Sequence, residues 1–354
     1  MNINRRETRC VQIGNKMIGG DHPILIQSMT NTDTRDARAT IEQILALEAA
    51  GCEIARVAVP DEAAADALSD IRKGIHIPLV ADIHFSHKLA LKAIEAGVDK
   101  LRINPGNIGG EAKVREVVAA AKANNIPIRI GVNAGSLEKD LLTKYNGPTA
   151  QAMVESAEGH IRILEDLNFE NIVVSMKASD VLLTVDAYTA FSEKYDYPLH
   201  LGITEAGVLR SSAIKSGIGL GHLLLNGIGD TLRVSITGDP VDEVYAAKDI
   251  LNAIGLYHGT AGMVEVVSCP SCGRTEIDLI GIAEEINRRV RGLNKNLKVA
   301  VMGCVVNGPG EGKEADIGVA GGKGKGVLFK KGVIYKTVNE DEIVDALMEE
   351  IYNA

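Results

Sequence analysis

Cysteine chemistry is concentrated in one stretch of this chain. Cys269-Pro270-Ser271-Cys272-Gly273 places two thiols two residues apart, and a third follows in Met302-Gly303-Cys304-Val305-Val306-Asn307-Gly308-Pro309-Gly310-Glu311. Two thiolates at that spacing can reach one metal centre from a single turn, and Pro270 and Gly273 let the backbone curl around it. A closed zinc site takes four thiolate or imidazole ligands, usually from two paired knuckles. Here the second knuckle has one cysteine and no histidine. Iron–sulfur cubanes are generally held by four thiolates as well, so a set of three leaves one iron to another ligand, a substrate or water. An incomplete shell of that kind belongs to a catalytic metal centre. A lone CxxC would also fit a redox disulfide; the Gly303-Cys304 turn favours metal. Glu311 alone would read as a solvated glutamate in a glycine loop, but an oxygen ligand is what the thiol set lacks.

A second set of chemistry-bearing residues recurs at the ends of short β-branched runs. These are Arg56, Asp82 with His84, Arg102 with Asn104, Arg129 with Asn133, Ser175 with Lys177, Thr204 with Glu205, and Arg233 with Ser235. Several pairs are two residues apart, which in a strand places both on one face. A single strand-end arginine reads equally well as a salt bridge to a neighbouring helix. Four arginines and a lysine converging on one mouth of an acidic protein point instead to an anion, because guanidinium forks match phosphate or diphosphate oxygens. Asp82, His84 and Glu205 are the candidates for acid/base work, with His84 equally readable as an orienting neighbour.

The elements that must position these groups follow from periodicity. Strand-like runs at 24–29, 54–59, 79–83, 100–104, 128–132, 172–176, 199–203 and 231–236 are each short and bounded by turn residues. Helical patterns fill the gaps at 37–50, 62–73, 87–96, 111–124, 149–167, 181–194, 207–225 and 241–253. Gly51, Gly97 and Gly255 follow alanine-rich or apolar helix ends, where glycine takes the left-handed cap. The α/β alternation predicts a (β/α)8 TIM-type barrel over residues 1–258, with active residues at the C-terminal ends of its strands. A doubly wound sheet is the alternative, but Gly217-Ile218-Gly219-Leu220-Gly221 neither directly follows a strand nor has the dinucleotide spacing. From 259 to 354 the pattern changes to a smaller α+β domain: strands at 264–267, 298–301, 317–320 and 327–329, a hairpin to 333–338, and helices at 276–290 and 341–351. Residues 321–326 lack the spacing of a phosphate loop and read as a mobile surface turn.

Composition bounds the function. Lys plus Arg number 38 against 47 Asp plus Glu, a net charge of −9 in 354 residues, which argues against nucleic acid or an anionic membrane as partner. No apolar run approaches the ~18 residues of a membrane span, and residues 1–20 have no apolar core, so Arg5-Arg6 is not an export signal. The expected location is cytoplasmic. Five cysteines without a secretory signal fit reduced thiols and a metal site, with Cys10 and Cys52 as ordinary buried thiols.

Taken together, the thiol stretch and the strand ends resemble the IspG/GcpE family, the 4-hydroxy-3-methylbut-2-enyl diphosphate synthases of the methylerythritol phosphate route to isoprenoids. The resemblance covers both domains. It rests on residues 268–274, on 302–311, on Leu101-Arg102-Ile103-Asn104-Pro105-Gly106-Asn107 and on Ile130-Gly131-Val132-Asn133-Ala134-Gly135-Ser136. The length matches the two-domain bacterial form. The resemblance implies an oxidoreductase that opens and dehydrates 2-C-methyl-D-erythritol 2,4-cyclodiphosphate with two electrons. It implies a 4Fe-4S cluster on Cys269, Cys272 and Cys304 with Glu311 as fourth, displaceable ligand. Arg56, Arg102, Arg129 and Lys177 would clamp the diphosphate, assisted by Asn104, Asn133 and Ser235, while Asp82, His84 and Glu205 handle protons or orient substrate. Flavodoxin or ferredoxin would supply electrons, and the small domain would cap the barrel of a second subunit in a homodimer. Two other classes are a non-redox phosphate-handling barrel with a structural zinc domain and an iron–sulfur sensor or electron carrier. The missing fourth cysteine counts against the first, the cationic mouth against the second.

Overall fold

The computed structural model describes residues 3–258, 262–305, 310 and 312–354. The chain divides into two compact units, Met1–Gly259 and Thr260–Ala354. In the first, a hairpin of β1 (Val11–Ile13) and β2 (Lys16–Ile18) is followed by β3 (Leu25–Met29), α1 (Ala37–Ala50), β4 (Ile54–Ala58), α2 (Glu62–Lys73), β5 (Leu79–Asp82) and α3 (His87–Glu95). Next come β6 (Lys100–Arg102), α4 (Glu111–Ala123), β7 (Ile128–Asn133), α5 (Lys139–Lys144), α6 (Ala150–Glu165), β8 (Ile172–Lys177) and α7 (Val181–Ser192). The unit ends with β9 (His200–Leu201), α8 (Leu209–Leu225), β10 (Thr231–Leu232) and α9 (Pro240–Ala253).

The eight strands β3 to β10 form one parallel sheet in the order β8-β7-β6-β5-β4-β3-β10-β9, and a parallel bridge from Val174 to Leu199 joins its ends. This is the TIM-type barrel that the alternation predicts. Outward strand residues such as Ala55, Val57, Leu79, Leu101, Ile130 and Val174 pack on the helices in one core. The helices begin where the sequence supplies caps: Asp36, Asp61, Ser86, Thr149 and Asp180 each accept a first-turn amide. Gly51, Gly97 and Gly255 all take positive φ, as their positions after helix ends require.

In this first unit three expectations need correction. Residues 1–20 are not merely a polar lead-in: Val11, Ile13 and Ile18 alternate inward and meet Leu25, Ile54, Val80 and Val173 at the starts of the barrel strands. Such a three-residue strand is too short to stand out in composition, and its amphipathic period of two is the only local sign. Cys10, just before β1, is exposed rather than buried, whereas Cys52 is buried as expected, its thiol pushed up to about 12 by burial. The ladders of β9 and β10 stop after two residues. Beyond them single bonds continue, from Arg233 N–H to Leu201 O (3.0 Å) and from Thr204 N–H to Ala178 O (3.1 Å).

The second unit contains β11 (Val264–Ser268), α10 (Leu279–Val290), β12 (Leu297–Met302), β13 (Ile317–Gly322), β14 (Lys325–Lys330), β15 (Val333–Asn339) and α11 (Ile343–Asn353), with one five-stranded sheet in chain order. β11, β12 and β13 run parallel; β14 and β15 return antiparallel. Helix α10 starts at 279 rather than 276 because Asp278 caps it. Residues 321–326 hold the exposed turn of a hairpin, in which Gly322 pairs with Lys325 and Gly324 takes positive φ. Lys331 and Gly332 both take positive φ, the geometry of a two-residue hairpin turn.

The β1–β2 hairpin, which plugs the end of the barrel where the strands start, yields a first prediction. Ile18 is fully buried, and truncation of such a side chain typically costs about 2–5 kcal/mol. Ile18→Ala should lower the urea midpoint accordingly; an unchanged midpoint would show that the hairpin does not seal the barrel.

Candidate active site

Beyond the apolar layer of Leu25, Ile54, Val80 and Val173, the inward positions toward the strand ends carry charge. Register places Arg56 beside Val80, Val80 beside Lys100, Asp82 beside Arg102, and Arg102 beside Arg129. Asp82 is nearly buried and is gripped by two of them, Arg56 Nη2 at 2.5 Å and Arg102 Nη1 at 3.3 Å. Burial alone would raise its pKa, but the charges of Arg56 and Arg102 outweigh burial and hold it far below the usual carboxylate range. Asp82 is therefore a carboxylate that aims two guanidinium groups. His84 is exposed at the rim, with Nδ1 3.2 Å from Arg102 Nη1 and Nε2 3.8 Å from Asp82.

Arg129 lies deeper and is 1 % exposed, with neither Nε nor Nη1 hydrogen-bonded. Lys177 Nζ has an imidazole for a neighbour, His200 Nε2 at 3.4 Å. Burial first, then the positive charges of Arg129 and Arg56, push Lys177 well below the ordinary lysine range. Space for these side chains is made by glycine. A Cβ on Gly202 would fall on Lys177 Nζ, and one on Gly131 on Arg102 Nε.

The asparagines behave differently from simple ligands. The Asn104 amide bonds both polar groups of Gly131, donating to its carbonyl (3.0 Å) and accepting its N–H (2.8 Å), and so staples the end of β6 to β7. Asn133 Oδ1 accepts from Gly135 N–H at 3.1 Å. Ser235 is half-buried, and its carbonyl is held by Ser212 Oγ at 2.7 Å. Glu205 is exposed beside Thr204 and has φ +53°. The left-handed region is costly for glutamate, and such strain is concentrated at functional positions.

Several groups of this site were not singled out from sequence. Lys100 is completely buried, with Gln27 Oε1 at 3.3 Å. It stands two residues before Arg102 and shares its face, so the strand period alone could have found it. His200 is fully buried and bonds Thr231 Oγ1 through Nδ1 at 2.9 Å. Glu243 of α9 takes both arms of Arg233 at 2.8 and 2.7 Å. Arg233 is thus the strand-end arginine that does salt-bridge to a neighbouring helix.

In the second unit, parallel pairing of β11 with β12 aligns Ser268 with Val301, so the thiol turns leave the sheet from adjacent strand ends. Cys269 Sγ accepts the Gly303 N–H at 3.2 Å, and Cys304 lines a cavity of about 640 Å³ with Gly273 and Arg274. Cys272 is exposed, and its thiol is lowered chiefly by the Arg274 amide. Among the described residues, no three His, Cys, Asp or Glu side chains converge on a single ion position. Glu311, Asn307 and Pro309 lie outside the described residues.

The glycine gaps make a direct prediction. A Cβ at Gly202 or Gly131 would strike mainly the movable end of a cationic side chain. Gly202→Ala and Gly131→Ala should therefore fold with melting temperatures within a few degrees of wild type, yet bind inorganic diphosphate at least about ten-fold more weakly. Unchanged affinity by calorimetry would mean that these cations do not meet the anion.

Comparison with known proteins agrees with this architecture. The model of the GcpE TIM-barrel domain matches residues 8–248, and that of the GcpE protein C-terminal domain matches 265–353. The chain is 61 % identical over 347 residues to a protein of Caldanaerobacter subterraneus subsp. tengcongensis named 4-hydroxy-3-methylbut-2-en-1-yl diphosphate synthase (flavodoxin), covering 98 % of this chain and 97 % of that one. Proteins of the same name from Geobacter sulfurreducens and Clostridium acetobutylicum are 59 % and 58 % identical, with 98 % and 99 % of this chain covered and 98 % and 100 % of the relatives. Among solved structures, a truncated 3-deoxy-D-arabino-heptulosonate 7-phosphate synthase from Thermotoga maritima superposes with TM-score 0.50 at 12 % identity, over 71 % of this chain and 94 % of that one, a likeness of barrel fold alone. With both family domains matched in order along nearly its whole length, the chain belongs to the GcpE family.

Proposed function

We propose that this chain catalyses the reductive ring opening and dehydration of 2-C-methyl-D-erythritol 2,4-cyclodiphosphate to 4-hydroxy-3-methylbut-2-enyl diphosphate. Two electrons and protons enter and one water leaves. The observation that carries the reading is Arg129, a buried guanidinium with two unbonded nitrogens among Arg56, Arg102 and Lys177, for which Asp82 is the near carboxylate. A buried charge without a partner costs several kcal/mol, and a diphosphate supplies the missing acceptors bidentately. Lys177 Nζ and the Arg56 and Arg102 forks would hold the remaining oxygens, with Asp82 keeping both forks aimed. Glu205, strained and exposed at the mouth, is the proton-handling residue the geometry favours, with His84 orienting Arg102. Asn104, Asn133 and Ser235 shape the rim.

The thiol turns fit a 4Fe-4S cluster. Cys269, Cys272 and Cys304 would be its ligands, Glu311 the fourth, and the Gly303 N–H already bonds the Cys269 sulfur in the way cluster sulfurs are tuned. When bound, the cluster would supply single-electron transfer and a Lewis-acidic iron. The relatives' printed name supports flavodoxin as electron donor. No helix among the described residues is long and apolar enough to cross a membrane, and five free thiols suit the reducing cytoplasm, where this reading places the protein.

The test is anaerobic purification, metal analysis and binding. Iron and sulfide in place of zinc, and turnover with reduced flavodoxin, are expected. Arg129→Ala should keep the cluster spectrum but weaken cyclic diphosphate binding by orders of magnitude, since leaving a buried charge partner unpaired costs ~2–5 kcal/mol. Zinc alone in the thiol site, or an Arg129→Ala variant that binds like wild type, would refute it.

The same reading includes a head-to-tail homodimer in which the small unit of one chain serves the barrel of the other. Its support is reach. The segment from about 254 to 263 spans at most roughly 33–36 Å when extended, and α9 runs away from the mouth at which the parallel strands end. Mixing a Lys177→Ala chain with a Cys304→Ala chain under subunit exchange should restore activity, because one site per mixed dimer then has both parts intact. Verified mixed dimers that stay inactive would exclude the arrangement.

A further inference from the structure

His160 is a buried imidazole that the reaction as described does not use. It lies on α6, is 6 % exposed, and touches two loops of the barrel mouth at once. Gly106 N–H donates to its Nδ1 at 3.3 Å, and its Nε2 stands 3.3 Å from Glu138 Oε1, which also accepts from Ser156 Oγ at 3.1 Å. Gly106 belongs to the single turn Pro105–Asn107 that follows Asn104 directly. Glu138 comes just after the turn Ala134–Ser136 that Asn133 caps. One side chain therefore ties together the loops after β6 and β7, which carry Arg102 with Asn104 and Arg129 with Asn133. Gly106 permits the approach, since a Cβ there would come within 2.9 Å of His160 Cε1.

The bonding fixes the tautomer. An amide can only donate, so Nδ1 must present its lone pair to Gly106 and Nε2 must carry the proton toward the Glu138 carboxylate. We propose that His160, as this neutral tautomer, is a positioning residue: a latch that sets the two loops at the spacing the diphosphate site needs. The proposal rests on the anion-site reading above.

The latch has a pH sense. Protonation at Nδ1 would set a donor against the Gly106 N–H and break that arm, while the Glu138 arm became an ion pair. Burial lowers the proton affinity of His160, with the Glu138 charge opposing it, so the neutral form is the one present at neutral pH. The latch is then complete above the ordinary histidine range and is lost as the pH falls through the lowered folded value. Other charged groups border the adjoining cavity of about 560 Å³: Asp140 and Lys144 of α5, and Glu155, Glu158 and Arg162 of α6. Lys144 is paired with Glu155 at 2.6 Å and Glu158 with Lys194 at 3.4 Å.

Three full-length, cluster-loaded proteins test it: wild type, His160→Leu and His160→Asn. Leucine keeps most of the volume without an acceptor; asparagine offers Oδ1 near the position of Nδ1. With thermal unfolding confirming that each is folded, His160→Leu should raise KM for the cyclic diphosphate about ten-fold, the worth of one buried hydrogen bond, with kcat within about three-fold. His160→Asn should return KM to within about three-fold of wild type. Long-range proton–nitrogen spectra of wild type should show Nδ1 unprotonated at neutral pH, and Gly106 amide exchange should quicken in His160→Leu and slow again in His160→Asn. A leucine variant with wild-type KM, or an asparagine variant as weak as leucine, overturns the latch. A wild-type protein that does not bind the cyclic diphosphate overturns the anion-site reading, and the positioning role with it.

Discussion

The structure is governed by positive charge placed in the buried and half-buried interior of one barrel. Arg56, Lys100, Arg102, Arg129, Lys177 and Arg233 interact within one barrel, against the carboxylates of Asp82 and Glu243. Two unit charges 4 Å apart repel by about 4 kcal/mol even at an effective dielectric constant near 20. This cluster of cations is therefore electrostatically strained. Its proton affinities record the strain: burial first, then neighbouring cations, depress Lys100, Arg129 and Lys177 and keep His200 neutral. An anion among them would offset the repulsion between the cations, while the effect of burial would persist.

What resists that repulsion is the apolar shell around it. Each buried Val, Leu or Ile of the strand–helix interface contributes about 1.5–3 kcal/mol, and that interface runs continuously from Ile24 to Leu251. The hairpin plug adds Val11, Ile13 and Ile18 beneath the charged layer. Inside, flexibility is removed by specific ties. Asp82 aims two arginines, Glu243 fixes Arg233 and also accepts Ser28 Oγ at 2.7 Å, and the Asn104 amide clasps Gly131. At Glu205 the backbone turns left-handed beside the mouth.

The thiol centre is built on a different principle. The parallel register of β11 and β12 brings two glycine-bearing turns to adjacent strand ends. The amide of Gly303 bonds a sulfur of the other turn, Cys269. The hydrophobic contacts of Val264, Ile286, Val301, Val319 and Leu347 give this small unit a core of its own.

Periodicity and turn chemistry were enough to read the eight-fold alternation, the left-handed glycine caps, and the strand ends that carry Arg56, Asp82, Arg102, Arg129 and Lys177, because strand and helix periods are local properties of sequence. The thiol spacing was legible for the same reason. Pairing between distant segments was not. Nothing local distinguishes Arg233, neutralised by Glu243 on a helix, from Arg129, whose Nε and Nη1 have no hydrogen-bond partner among the described residues, and nothing local tells that Asn104 bonds Gly131 or that His160 joins two loops. The same holds for the plug, whose strands of three residues are defined only by the barrel floor they fill. Which charges are compensated depends on contacts across the barrel, and those exist only once the chain has closed on itself.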